Sequence, residues 1–245
     1  MSPNRLMADV DRRVLRASIA VAALCLVTFL LLRLLILLLD GPSPFDIWLS
    51  GHIRQPHPSQ GLQIIEHLAS SPGSGKGATA LILVVAVWAW VRRRDVRPGA
   101  LLIGAFVVTK ASVEVLKTLL GVDWRVMPIP PTDERADRAF LSSHAAVAVA
   151  VFAMLVVIIW LYGRRDLLFP AVAVAIVVVT AVALSVVAMD MHYFVDVVSG
   201  VAVGGFWVAV FALVGDLMWK RLPAPISLIS PASSRELAEV GDQDH

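Results

Sequence analysis

The sequence predicts an all-α integral membrane protein, a bundle of six transmembrane helices with both termini cytoplasmic. Three observations predict it. Of the 245 residues, 58% are hydrophobic and only 16% are charged, against roughly 45–50% and about 25% in an ordinary soluble domain. Six apolar segments approach the roughly 20 residues a helix needs to cross a bilayer. None of them alternates with the period of a strand, and the ten-residue alternating segments of a membrane barrel are absent. The same composition excludes a disordered chain, a disulfide scaffold and a coiled coil. A net charge of +2 is too small to indicate a nucleic-acid partner. The single cysteine, Cys25, permits no internal disulfide.

The elements follow in order. Residues 1–14 read as a polar, basic cytoplasmic tail. The first span, 17–39, is interrupted by Arg33, whose long side chain would snorkel from near the span's end. The span is too long for a signal peptide, and Asp40-Gly41-Pro42 follows it without a cleavage site, so it is expected to be retained. In the first outer loop, Phe45, Trp48, Leu49 and Ile53, then Leu62, Ile65 and Leu68, predict short interfacial helices. The second span, 77–91, is short and borrows the preceding Ser/Gly stretch. The remaining spans are 99–120, 142–162, 167–189 and 196–219. Residues 15–221 thus form one membrane domain, and 222–245 read as a disordered cytoplasmic tail rich in Pro, Ser and acidic residues.

Basic residues beside the spans set the orientation. Arg5, Arg12, Arg13 and Arg16, then Arg92-Arg93-Arg94 with Arg97, then Arg164-Arg165, then Lys220-Arg221 share one side only when the number of spans is even. That side is expected to be cytoplasmic. The connections 40–76, 121–141 and 190–195 would then face outward from the plasma membrane.

Ionisable residues at membrane depth are costly and mark candidate functional positions. The third span carries Lys110, Glu114 and Lys117; the fourth opens with Ser142, Ser143 and His144; the junction of the last two carries Asp190, His192 and Asp196. The predicted topology puts Lys117, His144, His192 and Asp196 at the outer ends of their helices. His192 and Asp196 are spaced i, i+4, so on a helix the carboxylate lies one turn from the imidazole. A carboxylate there fixes the ring tautomer and leaves the other nitrogen as a nucleophile. Ser142 is a helix N-cap, and the free amides of a helix start also form an anion site. Lys117 would reach a phosphate at that level or snorkel to the interface. Lys110 lies roughly 10 Å deeper than Lys117 and is expected to pair with Glu114 inside the bundle as a structural pair.

These residues resemble the type 2 phosphatidic acid phosphatase (PAP2) superfamily of integral-membrane lipid phosphatases, with motifs Lys-x6-Arg-Pro, Pro-Ser-Gly-His and Ser-Arg-x5-His-x3-Asp. Lys117-Thr118-Leu119-Leu120-Gly121 matches the start of the first, Leu141-Ser142-Ser143-His144 the second, and Ser185-Val186 with His192 and Asp196 the third. The chain departs from the pattern at Trp124, with Arg125 one position late and Val126 for Pro, and at Leu141, Ser143 and Val186. The resemblance implies that His192 attacks phosphorus, Asp196 orients it, and His144 protonates the leaving oxygen and then activates water. It implies that Lys117, Ser142 and Ser143 stabilise the phosphoryl oxygens. Arg125, through a one-residue bulge, and Arg138, folding over the site, would replace the missing guanidinium. Arg135 reads as a solvated loop residue. The expected substrate is a lipid phosphate, polyprenyl (di)phosphate first and phosphatidate-like lipids next, held among membrane lipids. No metal or other cofactor is implied.

Two further patterns do not carry a function. Gly73-Ser74-Gly75-Lys76-Gly77 lacks the first Gly and the Ser/Thr of a nucleotide-binding P-loop, and no strand precedes it. His52, His57 and His67 have no metal-ligand spacing and read as solvated loop residues. Two other functions stay open. Val186 and Trp124 favour a weakened or inactive family member that binds lipid or a membrane partner. Lys110 and Glu114 are the only hint of a transporter.

Overall fold

A computed structural model of the chain describes residues 12–39, 42–53, 59–120, 140–189 and 191–221. Among these residues the chain is helical, without strands. The helices are α1 (Arg12–Leu39), α2 (Pro44–Ile53), α3 (Gln60–Ser70), α4 (Gly75–Arg93), α5 (Arg97–Leu120), α6 (Ser143–Leu161), α7 (Arg165–Ala188) and α8 (Phe194–Arg221), with a single 3₁₀ turn at Ser71–Gly73. Six of them, α1 and α4 to α8, are long and apolar enough to span a bilayer, as the sequence predicts. The N-terminal tail up to residue 11 and the tail 222–245 lie outside the described residues.

Helix α6 forms the centre. Ala145, Ala146, Ala148 and Ala150 are fully buried, and α5, α7 and α8 pack against it. Small side chains suit that place because association in lipid rests on close packing rather than on exclusion of water. Gly200 and Gly204 of α8 press on α6 so closely that a Cβ at either would collide with the carbonyl oxygen of Ser142 or Ala146. Helix α1 lies at the rim, packed on α8, and exposes Leu24, Leu30, Leu31 and Leu38. In a membrane such leucines face acyl chains, so their exposure carries no penalty.

Side-chain and main-chain contacts fix which helix ends lie together. The Ser142 amide donates to the Asp196 carbonyl at 3.0 Å, Arg33 donates to the Leu120 carbonyl at 3.2 Å, and Gly73 abuts the His144 carbonyl. These contacts gather the ends near residues 39, 75, 120, 143 and 194 at one face of the bundle. At the opposite face the Tyr162 hydroxyl donates to Asp95 at 2.7 Å, and the Arg97 guanidinium lies 4.4 Å from the centre of the Trp219 ring. The arginine-rich ends therefore share one face, and the histidine-bearing ends share the other.

Two expectations about this frame need correction. Arg33 does not snorkel: its guanidinium caps the end of α5 at Leu120 and lies over the Phe140 ring at 5.8 Å. The short helices of the first loop do form, as α2 and α3, but α2 turns its polar side inward. Asp46 and Ser50 are buried while Phe45, Ile47 and Trp48 are exposed, as expected of a helix with bundle on one side and lipid on the other. His52 and His67 sit on these helices rather than in loops; His57 lies outside the described residues.

Candidate active site

Two segments dominate the histidine-bearing end. The first leads into α6. Leu141 has φ +66°, a left-handed conformation that costs a non-glycine residue about 1–2 kcal/mol. Its side chain is fully buried, which holds the turn in place. Proline, locked near −65°, cannot adopt that angle, so the departure from the Pro-Ser-Gly-His pattern at Leu141 goes with the shape of the turn. Ser142 then caps α6, its hydroxyl accepting from the Ala145 amide at 3.3 Å. Ser143 and His144 occupy the first helical turn.

The second segment joins α7 to α8. The Val186 carbonyl accepts from the amides of Met191 and His192, at 3.0 and 3.3 Å, and so places His192 just beyond the end of α7. His192 stands before α8, not on it, because that helix begins at Phe194. The expectation that one helical turn joins His192 to Asp196 is corrected accordingly. The Asp196 carboxylate reaches back over its own helix start, accepting from the Tyr193 amide at 3.0 Å, and its Oδ2 lies 3.6 Å from His192 Nδ1. The pair is thus set by helix capping. At 3.6 Å it is an electrostatic contact rather than a hydrogen bond. Both side chains are 0% exposed, and neither ring nitrogen of His192 has a hydrogen-bond partner among the described residues.

A second carboxylate, which the sequence reading did not single out, secures this segment. Asp46 is buried and serves two helices. Its Oδ2 accepts from the Ser43 amide at 3.1 Å while Ser43 Oγ accepts from the Asp46 amide at 3.1 Å, a capping box at the start of α2. Its Oδ1 accepts from the Val195 amide at 2.9 Å and thereby caps α8. The Ser43-Pro44-Phe45-Asp46 pattern could have been read as a helix start; the second bond, to a residue 149 positions away, has no local signal.

His144 opens on a cavity of about 360 Å³ lined by Gly73, Ser74, Gly75, Lys76, Lys110, Ser143, His144 and Val147. The stretch set aside as a P-loop is therefore one wall of it. Lys110 does pair with Glu114, at 3.0 Å, but the pair is not enclosed in the bundle. The side chains are 40% and 55% exposed, and Lys110 borders the cavity. Lys117, His192 and Asp196 are not among the lining residues. Lys117 is half-buried on the last turns of α5. Val186 is fully buried among Ala145, Val187 and Val197, so the motif position of an arginine is filled by apolar packing. Arg125, Arg135 and Arg138 lie outside the described residues.

Comparison with known proteins adds a family and a fold. Residues 99–219 match the model of the PAP2 superfamily. The chain is similar to the crystal structure of a transmembrane PAP2-type phosphatidylglycerolphosphate phosphatase from Bacillus subtilis, with 17% identity and a TM-score of 0.64, over 82% of this chain and 98% of that one. No curated protein sequence matches it.

Proposed function

We propose, from the match of residues 99–219 to the PAP2 superfamily, that the chain is a member of it and a membrane phosphatase acting on a lipid phosphate or diphosphate. The first choice of substrate is a polyprenyl (di)phosphate, then a phosphatidate-like lipid. The Bacillus subtilis neighbour, a phosphatidylglycerolphosphate phosphatase, supports a lipid phosphate. The site faces outward from the plasma membrane, with both termini and the tails 1–14 and 222–245 on the cytoplasmic side.

In the proposed reaction His192 Nε2 attacks phosphorus and the bond to the leaving oxygen breaks. His144 gives that oxygen its proton. Asp196, beside Nδ1, stabilises the positive charge that the ring acquires. His144 then takes a proton from water, which attacks the phosphohistidine and releases phosphate. Lys117, Ser142 and Ser143 with their helix-start amides hold the phosphoryl oxygens, and Arg125 and Arg138 supply the guanidinium absent at Val186.

One observation carries this reading: the amide of Ser142 is bonded to the carbonyl of Asp196 at 3.0 Å, so the two histidine-bearing segments are neighbours in the main chain. The groove of about 580 Å³ lined by Cys25, Phe29, Val107, Ala111, Val203 and Phe206 supports a lipid tail. Its wall residue Phe29 packs on Phe140 with ring centres 6.1 Å apart, next to the α6 turn.

The test is phosphate release from a panel of lipid phosphates by purified native protein and His192→Ala. Native release that falls about 10⁴-fold or more in the variant is expected of a lost nucleophile. Equal rates would remove His192 from the reaction. The buried Val186 favours a second reading, a weakened or inactive relative that only binds lipid or a membrane partner; lipid binding without phosphate release by the native chain would select it.

A further inference from the structure

The cavity beside His144 is more than the catalytic residues require. Its walls come from three places: the turn before α4, the middle of α5 and the first turns of α6. Gly73 rests against the His144 carbonyl, where any Cβ would collide, so the Ser74–Lys76 corner is held against the histidine. Ser74 caps α4, its Oγ accepting from the Gly77 amide at 3.0 Å. The Gly75 and Lys76 amides are in the first turn, where a helix offers no internal acceptor. A side chain at Gly75 would meet nothing within 4 Å, so the space beside its amide is open, whereas Gly77 packs against the Ser71 carbonyl. Helix starts of α4 and α6 thus border one space, each with the partial positive charge of its dipole.

Two lysines from different helices border the same space. Lys76 is exposed and has no ion-pair partner among the described residues. Lys110 shares its charge with Glu114. Lys110 stands ten residues before the end of α5, about 15 Å along the helix axis, and Val147 is one turn into α6. The cavity therefore extends from the bundle end inward, toward the level of a lipid tail.

We infer that this cavity is a second anion subsite, which holds the tail-side phosphate of a lipid diphosphate while the terminal phosphate reacts. The inference rests on the phosphatase reading above and narrows its substrate. In a diphosphate ester the leaving group is itself a phosphate. When the His192 Nε2–phosphorus bond forms, the bond from the terminal phosphorus to the bridging oxygen breaks. His144 supplies the proton to that oxygen, and a lipid monophosphate departs. The group bonded to the bridging oxygen lies just beyond His144, in the cavity bordered by Lys76 and the α4 amides at the bundle end and by Lys110 farther in. A monophosphate ester would place only the ester carbon there and would leave the Lys76 ammonium and the α4 amides without a phosphate, Lys110 keeping Glu114 as its partner.

The test uses the full chain in detergent micelles with farnesyl diphosphate and farnesyl monophosphate, in native protein, Lys76→Ala and Lys76→Arg. The native protein is expected to favour the diphosphate in kcat/KM by about tenfold or more, the size of one charge-assisted contact. Lys76→Ala should lose about tenfold of that preference, and Lys76→Arg should restore most of it. A preference that is absent, or unchanged in Lys76→Ala, would overturn the inference and leave the phosphatase reading standing. Release from neither substrate would instead count against that reading. The subsite is then decided by calorimetric binding of inorganic diphosphate: binding by native protein that is lost in Lys76→Ala supports it, and no binding overturns it.

Discussion

The two ends of the bundle treat their polar groups in opposite ways. At the arginine-rich end the buried Asp95 carboxylate accepts four hydrogen bonds: from the Arg97 amide at 3.0 Å, Arg97 Nε and Nη2 at 2.9 Å each, and the Tyr162 hydroxyl at 2.7 Å. The Arg97 guanidinium covers Trp219, and Arg93 covers Tyr162 at 5.2 Å. At the histidine-bearing end, Arg33 Nη1, Ser50 Oγ, Ser199 Oγ and both His192 nitrogens are buried without a hydrogen-bond partner among the described residues. Buried polar atoms are normally paired, and each exception calls for a reason. The difference teaches that one end is built to hold the helices together, while the other leaves buried polar atoms unpaired, as the proposed phosphate site would require.

Substitutions at the two ends should separate these roles. The largest effect is on chemistry: His192→Ala should abolish phosphate release yet unfold at nearly the native temperature in micelles. Asp95→Ala should do the reverse. It strands Arg97 and Tyr162, and loss of one partner from a buried charged pair costs about 3–5 kcal/mol; denaturant or thermal unfolding should register this while the turnover of folded molecules persists. Gly200→Ala sharpens the comparison from within the histidine-bearing end. The new methyl meets the Ser142 carbonyl, and overpacking of this kind costs about 1–3 kcal/mol, read as a lowered unfolding temperature together with slower turnover. Asp46→Ala removes two helix caps at about 1 kcal/mol each. It should lower kcat more than it raises KM, because it loosens the segment that carries His192, and Asp46→Asn should recover part of both stability and rate.

The smallest effect is that of acid. Burial alone would raise the Asp95 carboxyl, but hydrogen bonds from Arg97 and Tyr162 outweigh it and hold the group below the usual carboxylate range. A depressed carboxyl contributes stability that is complete above its unfolded value, about 3.9, and is lost as pH falls through the lower folded value. Unfolding temperature should therefore be insensitive to this group near neutrality and decline below about pH 4, a decline that Asp95→Asn should blunt. A decline of equal size in both proteins would assign acid sensitivity to other carboxylates.

The six spans were legible because length and hydropathy are properties of consecutive residues, and a bilayer demands both. The residues of the candidate site were legible as motifs, and Ser142 as a helix cap, because those signals are local as well. What stayed hidden depends on distance in the chain. Lys76 looks like a failed nucleotide loop until Gly73 is found against His144. Asp46 looks like one helix start until its second oxygen meets Val195. Arg33 follows the rule for a lone basic residue near a span end, yet the open end of α5 offers its guanidinium a carbonyl. The Lys110–Glu114 pair was legible from its i, i+4 spacing; its place beside a cavity was not, since that depends on where α4 and α6 stand.

The bond between the Ser142 amide and the Asp196 carbonyl has one more consequence. It joins peptide groups, so it is indifferent to the identity of the side chains around it. Replacing residues 141–143 or 196 one by one with alanine would leave this clasp fastened. An imino acid at 142, which has no hydrogen to give, would open it. The scaffold for two histidines can thus outlast changes in the letters of its own signature.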